Sequence, residues 1–540
     1  MKNKFVTKLK MLPLLLIIFT ISCEDLDLTP ENQFTDSNYW TSVDKAQTLL
    51  NTAYSQMQNS EYFFYNEGLS DNAVNSRGDI AGTASIGGGL YDASLPRIKK
   101  EWNDRYAGIK SCNLLLENID RIEGADQTVI ARMKAEARFL GAFQHFQLTT
   151  WFGAIPLVSS DPSLEEATTI SRTSHAEVVD FILNELDEIV TDLPTNYPVA
   201  ERGKITSGAA MALKARVLLY EGRWAEVAAT TDAIMAGNYG TFSLFPSYEG
   251  VFLPQNEYNS EDILSLQYVP QFRMWGEFFD MAPISVGARL NALAPTQELV
   301  DSYVMLNGRR INESGSGYDE SDPYIGRDPR LTATVVYHLY EWEEADGTTQ
   351  TIYIKPGTSP GEPTNEYLSG SSTTSTGYYT RKYYDPQHTT SLQSGLNLIL
   401  FRYADILLMN AEAKIELGQF DASSWASTIG AVRTRAGFTD AAALSFDSSL
   451  SQDGLRQLLR NERRSEFAME GMRIFDIKRW DIADTVLNGW AHGAKFGTSS
   501  IDNGYLRVQL RVFDPGKHNL WPVPRDERLI NSNLSQNPGW

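Results

Sequence analysis

The chain has 540 residues, with 47 lysines and arginines against 68 acids, a formal net charge of −21. Hydrophobic residues make up 42% and aromatics 11%, a globular composition outside the range of intrinsic disorder. So acidic a chain lacks the basic footprint of a nucleic-acid binder, and its two cysteines exclude a disulfide framework or a cysteine-built zinc module.

Lys2, Lys4, Lys8 and Lys10 precede one apolar run, residues 11–21. The run is too short for a hydrocarbon core that needs about 20 residues, so residues 1–22 read as an export signal. Cys23 follows Ser22 at its end, which looks like a bacterial lipobox whose cysteine becomes the acylated first residue; the alternative is an ordinary signal with an incidental cysteine. Residues 23–38 then form a tether, with Glu24, Asp25 and Asp27 at its start and Pro30 within it. Removing the signal takes four lysines and moves the net charge from −21 to −25. The lipid would hold the chain to a membrane face without a span of its own. Cys112 would stand alone, on a helical stripe with Trp102, Tyr106, Ile109, Leu116 and Ile119, and reads as a packed, inert thiol.

Helical spacing covers 42–58, 101–120 and 128–152, and Ser174 with Glu177 forms a capping box opening a helix to about 193. A helical pair spans 206–220 and 225–235, a second spans 403–417 and 423–436, and a last helix runs over 452–469. Ala215, Gly222 and Trp224 recur as Ala411, Gly418 and Phe420 at a constant offset of 196. A small residue at the close approach, a turn glycine and an aromatic opening the second helix make this close to a tetratricopeptide repeat. Between the pairs, residues 237–400 are rich in Gly, Pro, Tyr and Ser. Alternation over 332–342, a turn at Asp346-Gly347 and a β-branched stretch over 351–355 predict a hairpin. The expected fold is mainly α: a tetratricopeptide-like helical-repeat scaffold with a loop-rich insertion containing short β hairpins. Its parts are a helical region over 39–236, a ligand-binding insertion over 237–400, and a helical region with a packing tail over 401–540. Trp40, Trp102 and Trp224 sit on or at helix starts and read as core.

Catalytic motifs are absent. The histidines at 145, 175, 338, 388, 492 and 518 have no metal-ligand spacing, and no P-loop or dinucleotide fingerprint occurs. The one Gly-x-Ser-x-Gly match, at 357–361, carries Pro360 in a polar loop and lacks the strand–turn–helix setting of a nucleophile elbow. No catalytic residue, metal or cofactor is assigned.

The distributed motifs resemble one family. They are Glu136-Ala137-Arg138-Phe139-Leu140, Trp151-Phe152-Gly153-Ala154-Ile155-Pro156-Leu157, Gly203-Lys204-Ile205-Thr206, Asp328-Pro329-Arg330, Arg381-Lys382-Tyr383 and Phe401-Arg402-Tyr403-Ala404-Asp405. Arg460-Asn461-Glu462-Arg463-Arg464, Glu470-Gly471, Asp476 through Trp480, Leu520-Trp521-Pro522-Val523-Pro524 and Asn537-Pro538-Gly539-Trp540 complete them. With the lipobox and the acidic stretch behind it, the chain resembles the SusD/RagB family of Bacteroidetes outer-membrane nutrient-binding lipoproteins. The resemblance implies a binding protein at the outer cell surface that captures glycan and passes it to a SusC-like TonB-dependent transporter. A surface glycoside hydrolase and a helical scaffold binding only protein are the alternatives. Glu462, Glu466 and Glu470, interleaved with Arg460, Arg463 and Arg464, read as a structural ion-pair network. Residues 520–540 read as a clamp over the scaffold.

Sugar recognition needs a flat aromatic face for ring C–H groups and planar polar groups for hydroxyls. Two loop clusters offer these: Asp71, Asn72, Asn75, Arg77 and Tyr91, and Trp275, Phe278, Phe279 and Arg289, with Tyr324, Arg381 and Tyr383 as a further wall. The acidic balance favours a neutral oligosaccharide, while a local basic pocket could override it within a Debye length of about 8 Å. A peptide or other nutrient remains open as ligand.

Overall fold

The computed structural model describes residues 39–75, 77–344, 346–386 and 392–540. The expected export signal, Cys23 and the expected tether lie outside these described residues. About 46% of the chain is helical, and among the described residues the strands form only two-stranded sheets, as expected for a mainly α protein.

The N-terminal part is a helical layer: α1 (Val43–Ser55), α2 (Ser60–Tyr65), α3 (Pro96–Asn118), α4 (Gln127–Phe152) and α5 (His175–Ile189). α3 begins earlier than the apolar spacing suggested, because Pro96 supplies a helical φ at the first position. α5 opens on the expected capping box. The Glu177 amide donates to Ser174 Oγ at 3.3 Å, and Glu177 Oε2 accepts from the Ser174 amide at 3.2 Å. Val178, Ile182, Leu186 and Ile189 repeat at helical spacing and are buried where α5 packs on α4. Cys112 is buried on α3, and desolvation pushes its thiol up to about 12, so it is inert at neutral pH. Trp40 and Trp102 are also core.

The first repeat pair is α6 (Ser207–Tyr220) and α7 (Trp224–Met235). The insertion follows. β1 (Ala73–Asn75) from the N-terminal part pairs with β3 (Leu293–Pro295), and β2 (Asp262–Leu266) pairs with β8 (Leu398–Arg402), all antiparallel. Within the insertion lie α8 (Gln297–Ser302), α9 (Pro329–Thr334), β4 (Val335–Val336), paired with β7 (Tyr379–Thr380), and the hairpin β5 (Tyr340–Glu343) with β6 (Thr349–Ile352). The hairpin is the expected one, turning at Gly347 with φ +80°. The alternating run is divided, however. Asp328 accepts from the Arg330 amide at 3.0 Å and Pro329 takes the first helical position, so Thr332 and Thr334 belong to α9 rather than to a strand.

The second pair comprises α10 (Tyr403–Glu416), α11 (Ala422–Ser427) and α12 (Ile429–Ala436), followed by α13 (Gln452–Glu466) and α14 (Arg473–Arg479). Ala215 and Ala411 are fully buried, and Gly222 and Gly418 turn at φ +64° and +68°. These are the small residue and turn glycine that the repeat requires. α7 packs against α10, so the two hairpins stack although the insertion separates them in sequence. Two expectations are corrected. The helix expected over 423–436 breaks at Thr428, where Trp425 folds back so closely that a Cβ on Gly430 would lie 2.9 Å from its ring nitrogen. Trp224 is half-buried rather than core, because it caps the hairpin at the first turn of α7.

Two buried ion-pair clusters join these parts. In the larger, Arg330, Lys382, Arg402, Arg433 and Arg435 meet Glu261, Asp328, Glu462, Glu466 and Glu470. Glu466 accepts from Arg330 at 2.9 Å and Arg402 at 2.6 Å and also pairs with Arg435; Arg402 reaches Glu470 at 2.9 Å and Glu261 at 2.7 Å. In the smaller, Arg216 of α6 and Arg463 of α13 clasp Asp405 of α10 at 2.8 and 2.9 Å, and Arg463 and Arg479 reach Asp476 at 3.1 and 2.7 Å. Burial works against each charge, but the facing guanidinia prevail: the Asp405 carboxyl is held down to about 2 and that of Glu466 far below the ordinary range. Glu462, Glu466 and Glu470 are thus the structural network their spacing suggested, although their partners come mainly from other elements.

After β9 (Gly489–Gly493) and β10 (Leu506–Arg511), the tail that contains α15 (Arg525–Ile530) closes over the N-terminal layer. Trp521 stacks on Trp151 at 4.0 Å, and Asn537 donates to the carbonyls of Phe152 and Trp521 at 2.8 and 2.7 Å.

Glu466→Gln leaves three guanidinia short of a counter-charge. It should cost about 3–5 kcal/mol in denaturant unfolding, the range for breaking a buried pair. Because the folded Asp405 carboxyl titrates near 2, below its ordinary 3.8, its contribution is complete above pH 4. That contribution should fade as pH falls from about 4 to about 2, measured as a dropping thermal midpoint.

Candidate functional site

Most residues expected to touch ligand instead hold the fold. Asp71 spends both oxygens on Arg473, at 2.8 and 3.0 Å, with Arg464 at 3.1 Å, and these cations hold its carboxyl well below the usual range against the opposing effect of burial. Asn72 donates to Glu67 at 3.0 Å and accepts from Arg464 at 2.8 Å. Asn75 donates to the Ile80 carbonyl and to Thr83 Oγ1. Tyr91 is buried against His518 and Trp540. Trp275, Phe278, Phe279 and Tyr383 are all at most 2% exposed. Trp275 donates to the Leu396 carbonyl at 2.6 Å and packs on Phe64, Phe278 packs on Tyr384, and Tyr383 sits among Phe63, Phe64 and Phe252. None of these rings has a face to offer a sugar. The physical reason is shared: aromatic and planar polar groups suit a buried core as well as a binding loop, and composition cannot separate the two uses.

Arg77, Arg289, Tyr324 and Arg381 keep solvent-facing surface. Arg289 pairs with Asp280 at 2.7 Å, and Arg381 lies over Trp342 at 4.0 Å while reaching Glu249 at 3.2 Å. Arg77 and Tyr324 belong to a face where four segments converge.

Arg77 donates to the carbonyls of Gly370 and Thr373, joining the 77–90 segment to the 368–378 loop. That loop lies against the β9–β10 hairpin: a Cβ on Gly493 would fall 2.3 Å from the Thr376 carbonyl oxygen, and one on Gly377 2.7 Å from Ala494 Cβ. Gln509 of β10 reaches back to the Ala84 carbonyl at 3.3 Å. From the insertion, Tyr324 stacks on Tyr337 at 3.8 Å, its hydroxyl 3.4 Å from that of Tyr378, which donates to Gln297 at 2.5 Å.

Trp490 is 40% exposed on β9, with the Arg507 guanidinium 5.2 Å from its ring centroid. Arg507 also pairs with Asp502 and, by donating to it, holds that carboxyl below its ordinary value. His492 Nδ1 lies 2.7 Å from Glu298, and Nε2 3.6 Å from Asp502. Tyr318 and Tyr505 are half-buried, with hydroxyls raised by desolvation; Lys495 lies over Tyr505 and pairs with Glu320 at 2.6 Å. Burial pushes the Tyr324 hydroxyl up to about 12, so it stays a neutral donor and acceptor. The face therefore combines the exposed Trp490 ring and half-buried tyrosines with paired acids, cations and hydroxyls. Sequence reasoning missed Trp490, Arg507, Tyr318 and Tyr505. A tryptophan between Gly489 and the polar Gly-rich stretch that follows was the available signal for the first.

A cavity of about 530 Å³ elsewhere is lined by Trp102, Tyr106, Ile109, Leu164 and Leu534 and also by Lys110, Asp161, Glu527 and Asn531. Among the described residues no group of three or more potential metal-ligating side chains occurs, and no helix is long and apolar enough to cross a membrane.

Residues 281–540 match the model of the SusD family, and residues 25–219 match a second, described as starch-binding associating with outer membrane. The chain belongs to the SusD family. A SusD-like protein, P25, of Formosa agariphila is 25% identical over 96% of this chain and 95% of its own length. The crystal structure of a SusD-like carbohydrate binding protein from Bacteroides fragilis is 29% identical, covers 92% of this chain and all of that one, and superposes with a TM-score of 0.82. A laminarin-binding SusD-like protein, 23% identical over 93% of this chain and all of its own, shares the fold at a TM-score of 0.68.

Gly493→Ala should separate the 368–378 loop from β9, since the new methyl would meet a backbone oxygen at 2.3 Å. A fall of several degrees in thermal midpoint and a shifted Trp490 fluorescence maximum are expected, with the buried ion pairs intact.

Proposed function

We propose that this SusD-family protein is a cell-surface glycan-binding lipoprotein: acylated at Cys23, held on the exterior of the outer membrane, and delivering captured saccharide to a SusC-like TonB-dependent transporter. The observation that carries the reading is the face with the exposed ring of Trp490 beside Arg507, together with the half-buried Tyr318, Tyr324 and Tyr505, since an open ring and planar polar groups are what pyranose C–H faces and hydroxyls need. The outer-membrane starch-binding description of the matching family, the carbohydrate-binding relative and the laminarin-binding relative support the same ligand class. The lipobox and the acidic residues behind it support surface anchoring.

Binding without turnover is the reading for the same face. Its carboxylates are engaged, Asp502 with the Arg507 guanidinium and Glu298 with the His492 ring, rather than standing as a free acid–base pair across a cleft. Broad helical surfaces remain for the transporter, with the loops carrying ligand.

Affinity electrophoresis and calorimetry against a polysaccharide panel test the reading. Trp490→Ala should weaken the best ligand by roughly tenfold, about 1.4 kcal/mol, by removing one stacking platform. Unchanged affinity would move the site elsewhere, and measurable glycan cleavage would overturn the non-catalytic reading. Co-purification with a TonB-dependent barrel tests delivery.

A further inference from the structure

A cavity of about 560 Å³ opens between the 304–313 loop, α11 and α12, the 442–450 segment and α13. Its volume lies within the range of about 300–1,000 Å³ usual for small-ligand sites. Trp425 and Arg433 are buried in its wall. Arg433 donates to Glu462 at 2.8 Å and to the Ala443 carbonyl at 2.9 Å, which ties the wall to the larger ion-pair cluster.

The 304–313 loop is fixed on this wall. Gly308 has φ +81°, and a Cβ there would lie 3.1 Å from Ala443 Cα and 3.2 Å from Arg433 Nη1. Asn307 accepts from the Arg309 amide at 3.1 Å and donates to the carbonyls of Gly315 and Ser316, both at 3.1 Å. The loop thus presents two consecutive arginines at the cavity. Arg309 donates to the Ser314 carbonyl at 2.9 Å and Arg310 to the Gln457 carbonyl at 3.5 Å; among the described residues neither guanidinium meets a carboxylate. The two acids that line the cavity are turned into their own loops. Glu313 accepts from the Arg310 amide at 3.1 Å, and Asp447 accepts from the Ser449 amide and hydroxyl at 2.9 and 2.5 Å. Gln457 and Asn461 add planar amides from α13.

We propose that this cavity is a second saccharide site, selective for a sugar bearing a carboxylate or sulfate, with Arg309 and Arg310 gripping the oxyanion. A guanidinium fork matches such an oxyanion with two parallel charge-assisted hydrogen bonds, and the Gln457 and Asn461 amides suit the neighbouring hydroxyls. The chain's overall −21 opposes anions at long range, but at about 8 Å and below the two local cations dominate. The assignment rests on the glycan-binding reading and adds to it a ligand class and a second place of contact. Two sites on one chain would hold a long polysaccharide more tightly than either alone.

The test is calorimetry on the mature chain at low salt, with tetragalacturonate and a κ-carrageenan tetrasaccharide as anionic probes and laminaritetraose as the neutral one. At least one anionic probe should bind wild type. Arg309→Gln/Arg310→Gln should weaken it tenfold or more and flatten its dependence on sodium chloride, with thermal midpoint and neutral-glycan affinity unchanged. Gln457→Trp, which fills the cavity, should give the same loss. Anionic binding should persist in Trp490→Ala. No anionic binding by wild type, equal binding by the double variant, or loss of anionic binding in Trp490→Ala overturns the second site and leaves the Trp490 face standing. A wild type that binds no glycan of either kind brings down the broader reading as well.

Discussion

Charge pairing inside the protein is the constraint on which the rest depends. The larger cluster sets five cations against five carboxylates, and the smaller sets Arg216, Arg463 and Arg479 against Asp405, Glu412 and Asp476. Each cluster is neutral within itself, so the excess of acids is borne outside them. Desolvating so many ions is expensive, and pairing largely offsets that expense rather than producing a large net gain. What the clusters supply is geometry. Arg402 at the end of β8 can satisfy Glu261, Glu466 and Glu470 together only when β2, β8 and α13 have all arrived. The insertion is therefore fastened to the repeat scaffold through these paired groups.

That fastening lets loops carry a surface site. A glycan platform on a mobile insertion would lose affinity to the ordering of its own chain. Here the 368–378 loop is seated against β9 by Gly377 and Gly493, and Tyr324 is stacked on Tyr337 above α8, whose Gln297 accepts from Tyr378. Trp490 then projects from a hairpin held at both faces. The C-terminal tail, stacked through Trp521 on Trp151 and tied by Asn537, closes the other end.

Legibility differed by kind of residue. Capping and turn chemistry act over three or four positions, so Ser174, Glu177, Gly222, Gly418 and Gly347 could be read directly. Family motifs were legible because they are the ion-pair residues themselves: Arg330, Lys382, Arg402, Glu462, Glu470 and Asp476 all recur in the buried clusters. The candidate site was largely illegible. Asp71, Asn72, Trp275, Phe278, Phe279 and Tyr383 have the right chemistry for sugar, yet partners hundreds of positions away consume them: Arg473 and Arg464 take Asp71, and Phe63 and Phe64 take Tyr383. Burial is a property of the assembled packing, and local pattern does not encode it for aromatic or planar polar residues.

By itself the sequence determined the helical class, the repeat pair, the capped helix starts, the hairpin turn and the membership implied by ordered motifs, because each depends on short-range spacing or on composition. Tertiary structure alone decided that α7 stacks on α10 across the insertion, that Trp425 breaks the expected helix at Thr428, and that Trp490 rather than Trp275 faces solvent. Those outcomes depend on which distant surfaces exclude water from one another, and in this protein many of the buried charges likewise find partners across elements far apart in the chain, as Arg402 does with Glu261 and Glu466.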